Sequence, residues 1–331
     1  MKLLVRGFAR REVIQAAACA AALALPARAR SQSVARVAWV STSPANDGTL
    51  FFNELRNGLR ELGHVEGRNL ALDAYWGDHG SELLNKRILE AVSSKPQVIV
   101  AQGPAVLAIR QLNLPLPIVF GFSGDPVEAG LVQSLARPGG NLTGISYLQL
   151  ELVGKRLQLL HALLPEVRRV AVISFPRHAG DLSERGACES AAVKLGLTLE
   201  MFEAQTASDV LTALATIEKS QHRAVMIFPT QTVTAMRERI AAWSIRTRIP
   251  TVSGWAQFAE GGNLMSFGPN LHATSFRLAS FVDRILKGAK PADLPVEQPV
   301  RVELVVNART AKALGIGIPS AVLLQADKVI E

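Results

Sequence analysis

Six apolar runs in this 331-residue chain end on residues able to hold a small polar solute. The ends are Ser41-Thr42-Ser43, Gln102-Gly103-Pro104, Ser123-Gly124-Asp125, Phe175-Pro176, Phe228-Pro229-Thr230 and Ser253-Gly254-Trp255. Hydroxyls and free backbone N–H groups suit a carboxylate. Aromatic rings suit an apolar side chain, and Asp125, the one carboxylate of the set, suits an ammonium. Together these types would hold a zwitterion such as an amino acid. Each also has a purely architectural reading. Asp125 before Pro126 is a common helix start, with Asp as N-cap and Pro in the first turn. Ser41 to Ser43 would cap the helix after them, and Phe175 and Phe228 would be core. Trp255, following a glycine at a strand end, favours a cleft. The roles are compatible, since a cap at a cleft also faces ligand.

Catalytic, metal and cofactor chemistry finds little support. No Gly-x-x-x-x-Gly-Lys-Ser/Thr phosphate loop is present. The stretch GFSGD approaches the nucleophile elbow Gly-x-Ser-x-Gly, but Asp125 replaces the second glycine. Gly315-Ile316-Gly317 is followed by Pro319 rather than by a helix fit for a dinucleotide. His64, His79, His161, His178, His222 and His272 show no metal-ligand spacing. The expectation is binding without catalysis, metal or cofactor.

The elements that must position the six ends alternate almost without interruption. Strands are predicted at 34–42, 70–76, 97–103 and 116–126, with helices at 51–63 and 81–94 between them. Asp125-Pro126 starts a further helix, Pro138 to Asn141 turns the chain, and LTGISY begins a strand. The alternation then resumes: helices at 151–165, 181–196, 208–219 and 232–247, strands at 168–176, 197–204, 223–230 and 249–255. Such alternation produces parallel sheets covered on both faces. Residues 35–126 and 168–255 each carry four rounds, as two similar lobes would, and the length exceeds what one core usually supports. KGAKPADLPVEQP, 287–299, reads as a linker. In open parallel sheets the ligand lies beyond the carboxyl ends of the strands, where the six ends fall.

With 48% hydrophobic and 19% charged residues the chain is globular in composition. The first 29 residues read as an export signal: a basic segment through Arg10-Arg11, an Ala-rich apolar run from Val13 to Leu25, Pro26, and the small-residue pattern Ala27-Arg28-Ala29. The paired arginines fit the twin-arginine route, whereas Ala9 and Val13 depart from its usual flanks and leave the Sec route open. Removing residues 1–29 takes five basic residues and one acid, leaving 31 basic against 27 acidic and a net charge of +4. No basic cluster interleaved with aromatics remains, which argues against nucleic acid as a partner. Cys188 is the only cysteine after that removal, so no intramolecular disulfide is expected.

The segments LRELGHVEGRNLALDAYW, PIVFGFSGDPVEAGLVQSLARPGGNLTGISYL, GKRLQLLHALLP, FAEGGNLMSFGPN and ILKGAKPADLPVEQPVRVELVVNARTAKALGIGIP occur in this order. Together they resemble the ABC transporter substrate-binding protein family that includes tryptophan/tyrosine-type binding proteins, across essentially all of 34–331. The resemblance implies a type I periplasmic binding-protein fold: α/β, two Rossmann-like lobes with parallel sheets, joined by three hinge crossings. The crossings would fall at Pro138–Asn141, near RIPTVSGW, and along LPVEQPVRVELVVN. Lobe 1 would then be 30–144 and 250–292, and lobe 2 145–249 and 293–331. The implied function is a periplasmic, monomeric receptor that closes on a small solute and hands it to a membrane permease. Asp125, Tyr147 and Trp255 stand where closing lobes would meet. The alternatives are a periplasmic sensor domain serving a kinase or chemoreceptor, and a secreted α/β enzyme.

Overall fold

The computed structural model describes residues 34–77, 81–147 and 150–331. The expected export signal, 1–29, lies outside the described residues. The first sheet has five parallel strands in the order β2-β1-β3-β4-β5, with β1 Ala35–Ser41, β2 Leu70–Trp76, β3 Val98–Gln102, β4 Ile118–Phe122 and β5 Leu142–Ser146. The second has seven, in the order β12-β11-β10-β9-β8-β6-β7. Its strands are β6 Arg169–Ser174, β7 Thr198–Glu203, β8 Val225–Ile227, β9 Thr251–Ser253, β10 Met265–Pro269, β11 Val302–Asn307 and β12 Lys328–Ile330. All its pairings are parallel except β10 with β11. Near-continuous burial along β1, β3, β4 and β6 is what a parallel strand covered on both faces requires.

Helices α1 (Ala45–Glu61), α2 (Ser81–Ser93) and α3 (Pro104–Gln111) follow the first three strands. In α1, Phe52, Leu55 and Leu59 recur at helical spacing and are buried against the sheet. A late helix, α10 (Leu271–Leu286), packs on the same side through Leu278, Phe281 and Val282. The two helices approach so closely that a Cβ on Gly58 would lie 2.6 Å from the Phe276 carbonyl oxygen. The second sheet carries α4 (Leu150–Leu163), α5 (Asp181–Leu195), α6 (Ala207–Glu218), α7 (Gln231–Ala235), α8 (Arg237–Thr247) and α9 (Ala256–Glu260), then α11 (Ala308–Leu314) and α12 (Ser320–Leu323). The predicted single helix at 232–247 is thus two, parted at Met236.

Each sheet organises its own core, and the chain passes between them three times; the first two crossings differ from the sequence expectation, and the third falls within the expected stretch LPVEQPVRVELVVN. LTGISY does not begin the second lobe: Leu142–Ser146 pairs with β4 in the first sheet, so the first crossing follows Ser146. Nor does the chain return near residue 250. β9 and β10 both lie in the second sheet, and the return comes between Pro269 and α10. Residues 293–297 stay with the first lobe, where Thr143 Oγ1 donates to the Leu294 carbonyl at 2.6 Å and the Ser146 N–H donates to Glu297. The third crossing therefore lies between Glu297 and β11. The helix expected from Asp125-Pro126 is absent. The segment is a turn, and Gly130 within it has φ +66°.

Candidate functional site

A cavity of about 410 Å³ lies between the carboxyl ends of the two sheets. Alternate residues of a strand share a face, so Val37, Trp39 and Ser41 all point toward the side covered by α1 and α10. Register sets Ser41 beside Gln102, and Gln102 beside Gly121. Trp39, Ser41 and Gln102 therefore crown that face, with Leu50 and Phe51 of α1 and Leu271 and Ser275 of α10 completing the first-lobe wall. The opposite wall comes from α7 (Gln231, Thr234, Ala235), the start of α8 (Arg237, Glu238), and the α9 region (Trp255, Gln257, Glu260). This second-lobe wall carries the charge. Arg237 Nη1 donates to the Thr234 carbonyl at 2.9 Å and Nη2 lies 3.8 Å from Glu238, while Glu260 accepts from Lys328 at 2.7 Å.

Tyr147, at the first crossing, donates its hydroxyl to Gln102 Oε1 at 2.8 Å. Burial raises the phenol well above its ordinary pKa, so it acts as a neutral donor. A Cβ on Gly121 would fall 1.9 Å from the Tyr147 hydroxyl, so glycine at that position makes room for the pair. Beside it the Thr42 hydroxyl donates to Gln231 Oε1 from the other lobe. Gly103, at φ +57°, brings its Cα against the same glutamine, because a Cβ would lie 2.3 Å from Gln231 Nε2.

A second interlobe contact is made by the β4 end. The Asp125 N–H donates to the Ala179 carbonyl at 3.0 Å, and Ser123 Oγ lies 2.9 Å from His178 Nε2. The His178 ring stacks near Phe122, and burial lowers its pKa against the pull of Asp181 and Glu128. Between the two contacts lies a small cavity of about 20 Å³, lined by Ser123, Tyr147, Arg156, Glu184 and Trp255 among others. Arg156 and Glu184 are both almost wholly buried, 3.9 Å apart, and Arg156 Nε donates to the Phe267 carbonyl at 3.1 Å. Desolvation pushes the Glu184 carboxyl up to about 7 although Arg156 opposes it, and burial lowers Arg156.

The sequence-predicted residues divide into groups. Ser41, Ser43, Gln102, Tyr147 and Trp255 line the main cavity, and Ser123 lines the small one. Thr42, Gly103 and Gly124 lie where the lobes touch. Asp125 is not among the residues lining either cavity. Its Oδ1 accepts from the N–H groups of Val127 at 2.7 Å and Glu128 at 3.1 Å, so it closes the turn that stands in place of the expected helix start. Phe175 and Phe228 belong to the second-lobe core, Pro176 is exposed, and Thr230 caps α7 through the Val233 N–H. Gly254 packs against Pro229 and Arg156.

Sequence reasoning missed Trp39, Phe51, Gln231, Arg237, Gln257 and the Arg156–Glu184 pair. Two of these had a signal. Trp39 lies two residues before Ser41, on the same strand face, and Arg156 sits in the stripe Val153, Arg156, Leu157, Leu160, a charge on an apolar helix face. The charged wall of α7 to α9 had none, because no motif marks it.

The family profile described as ABC transporter substrate binding protein matches residues 43–330. A tyrosine-binding protein of Clostridioides difficile is 25% identical over 259 residues, which span 77% of this chain and 74% of that protein. Among solved structures, an ABC domain in complex with L-Trp from Streptococcus pneumoniae superposes with a TM-score of 0.82 at 23% identity, covering 90% of this chain and 100% of that one. A conserved domain protein from Vibrio cholerae gives a TM-score of 0.82 at 28% identity, with coverage of 90% and 100%.

Proposed function

The chain belongs to the ABC transporter substrate-binding protein family, and we propose that it is the exported receptor of an importer. In this reading it binds an amino acid or related small organic acid, aromatic in its side chain, and presents it to a membrane permease. The observation that carries the proposal is the lining of the interlobe cavity. Trp39, Phe51, Tyr147 and Trp255 bring ring surface to a space of about 410 Å³ whose rim is hydroxyl, amide and charged. Apolar walls with a few convergent polar groups are the ordinary make-up of a small-molecule site. A second line of support is that a relative is named for tyrosine binding and a structure of the same fold holds L-Trp.

Function follows from where the walls stand. A solute docked on the first-lobe wall gains the contacts of Gln231, Arg237 and Trp255 only when the second lobe arrives. Closure is then stabilised by the difference in solute contacts between open and closed forms. The permease would read the closed form, in the periplasm, after export directed by residues 1–29.

The Ser123–His178 pair at 2.9 Å has the separation of a nucleophile and base. Among the described residues no carboxylate is hydrogen-bonded to the His178 ring; Asp181 instead accepts from the Phe175 N–H at 2.7 Å and pairs with Arg185 at 2.8 Å. The pair is read as an interlobe contact and not as catalytic machinery. Calorimetry of the mature chain against L-tryptophan, L-tyrosine, L-phenylalanine, aliphatic amino acids and small organic acids tests the proposal, with X-ray scattering to detect closure. Saturable binding with compaction is expected. Turnover of any bound compound, or no binding across the panel, would overturn it.

A further inference from the structure

Among the described residues, two buried N–H donors of the first-lobe wall have no hydrogen-bond partner: Trp39 Nε1 and Gln102 Nε2. Trp39 is 1% exposed and Gln102 8%, and both line the main cavity. An indole nitrogen can only donate. The Gln102 amide is oriented by Tyr147, which occupies Oε1 and leaves Nε2 as a surplus donor. Buried polar groups in native proteins are almost always hydrogen-bonded, so two orphaned donors at one cavity wall call for an acceptor. The strand register holds them on the same face of adjacent strands, beside the Ser41 hydroxyl. The N-terminus of the 17-residue α1 also follows directly from Ser41 to Pro44 and favours negative charge there.

Resting on the receptor reading above, we propose that the first-lobe wall is the carboxylate subsite, with Trp39 Nε1 and Gln102 Nε2 donating to the solute's carboxylate oxygens. The second-lobe wall then faces the other end of the solute. The sequence-level idea of hydroxyls as the carboxylate holders is thereby replaced by an indole and an amide. Trp39 acts both as ring surface and as donor, which a phenylalanine at that position would separate.

The test pairs two variants with three probes. Calorimetry compares wild type, Trp39→Phe and Gln102→Leu against L-tryptophan, indole-3-propionate, which keeps the carboxylate, and tryptamine, which lacks it. Circular dichroism and thermal melts confirm that the variants are folded. For wild type, tryptamine is expected to bind more than about a hundredfold more weakly than L-tryptophan, with indole-3-propionate in between. Each variant should lose about five- to thirtyfold for the two carboxylates and nothing for tryptamine. Equal losses for all three probes, or unchanged affinity for the carboxylates in folded variants, overturn the subsite while leaving the receptor reading intact. Failure of wild type to bind any of the three, or the wider panel, removes the receptor reading and this subsite with it. If both variants misfold, Gln102→Glu decides: a like charge at the subsite must weaken L-tryptophan more than tryptamine, and the reverse order overturns the proposal.

Discussion

The Tyr147 hydroxyl donates to Gln102 Oε1 at 2.8 Å and so ties the first interlobe crossing to the carboxyl end of β3. The bond is half-buried beneath the cavity, and Gly121 leaves the space in which it forms. Tyr147→Phe keeps the ring and removes the donor, stranding a buried amide oxygen. Loss of about 1–3 kcal/mol of stability is expected from such a change. Urea denaturation should show a lower midpoint with an unaltered slope. An unchanged midpoint would mean that the hydroxyl and amide do not meet in solution.

Arg156 and Glu184 form the buried charge pair behind Trp255, linking α4 to α5 and, through the Phe267 carbonyl, to β10. Breaking a buried pair leaves an uncompensated charge, whereas replacing both partners by apolar groups is often close to neutral. Arg156→Leu alone is therefore expected to cost about 3–5 kcal/mol, and the double change Arg156→Leu with Glu184→Leu much less. A double-mutant cycle by chemical denaturation measures the coupling. Additive losses would show that the two side chains do not act as a pair.

How much of this was legible beforehand depended on period and on pairing distance. The alternation of apolar runs and helical stripes specified the α/β class, because burial on both faces leaves strands such as VIVAQ and IVFGF no other use. It did not specify which sheet Thr251–Ser253 or Leu142–Ser146 joins, since pairing is a long-range property that a short apolar run does not encode. β10 was overlooked because MSFGP, with a glycine and a proline, has weak strand character. In the cavity, strand ends were found by the rule that ligands sit beyond carboxyl ends. The side chains on α7, α8 and α9 were not, because nothing in TVTAMRERI distinguishes a cavity wall from a solvated helix. For Asp125 the sequence left two uses open, an ammonium partner and a helix cap. The backbone N–H groups of Val127 and Glu128, two and three residues on, compete for the same oxygen.

Gly124 tests whether closure depends on the second interlobe contact. A Cβ there would lie 2.7 Å from the Ala179 carbonyl oxygen of the facing lobe, a backbone atom that cannot swing aside, and 2.8 Å from the Phe122 ring. Gly124→Ala is expected to hold the lobes apart while each keeps its own core. Solute affinity should fall by about tenfold or more, a closure penalty of roughly 1.4 kcal/mol. Small-angle scattering should show an expanded ensemble at saturating solute. Wild-type affinity and compaction in this variant would show that the 3.0 Å bond from Asp125 to Ala179 is not part of the closed form.

The same contact predicts a pH dependence with a definite sign. His178 is held below its ordinary pKa of 6.5 by burial against Phe122 and Ser123, so the closed form favours the neutral ring. Separating the lobes returns the ring to water, and the open form then binds more protons. Acidification through and below about pH 6.5 must therefore favour opening and weaken solute binding, while the contribution is complete above that value. Glu184 also titrates in this range, since burial pushes its carboxyl up to about 7 while Arg156 opposes the shift, and it does so in both proteins compared. The two contributions separate by difference. His178→Gln keeps a partner for the Ser123 hydroxyl and removes only the imidazole titration. Affinity measured by calorimetry from about pH 5 to 8 should fall on the acid side for wild type more steeply than for His178→Gln. Parallel pH profiles for the two proteins would show that the imidazole does not sense closure.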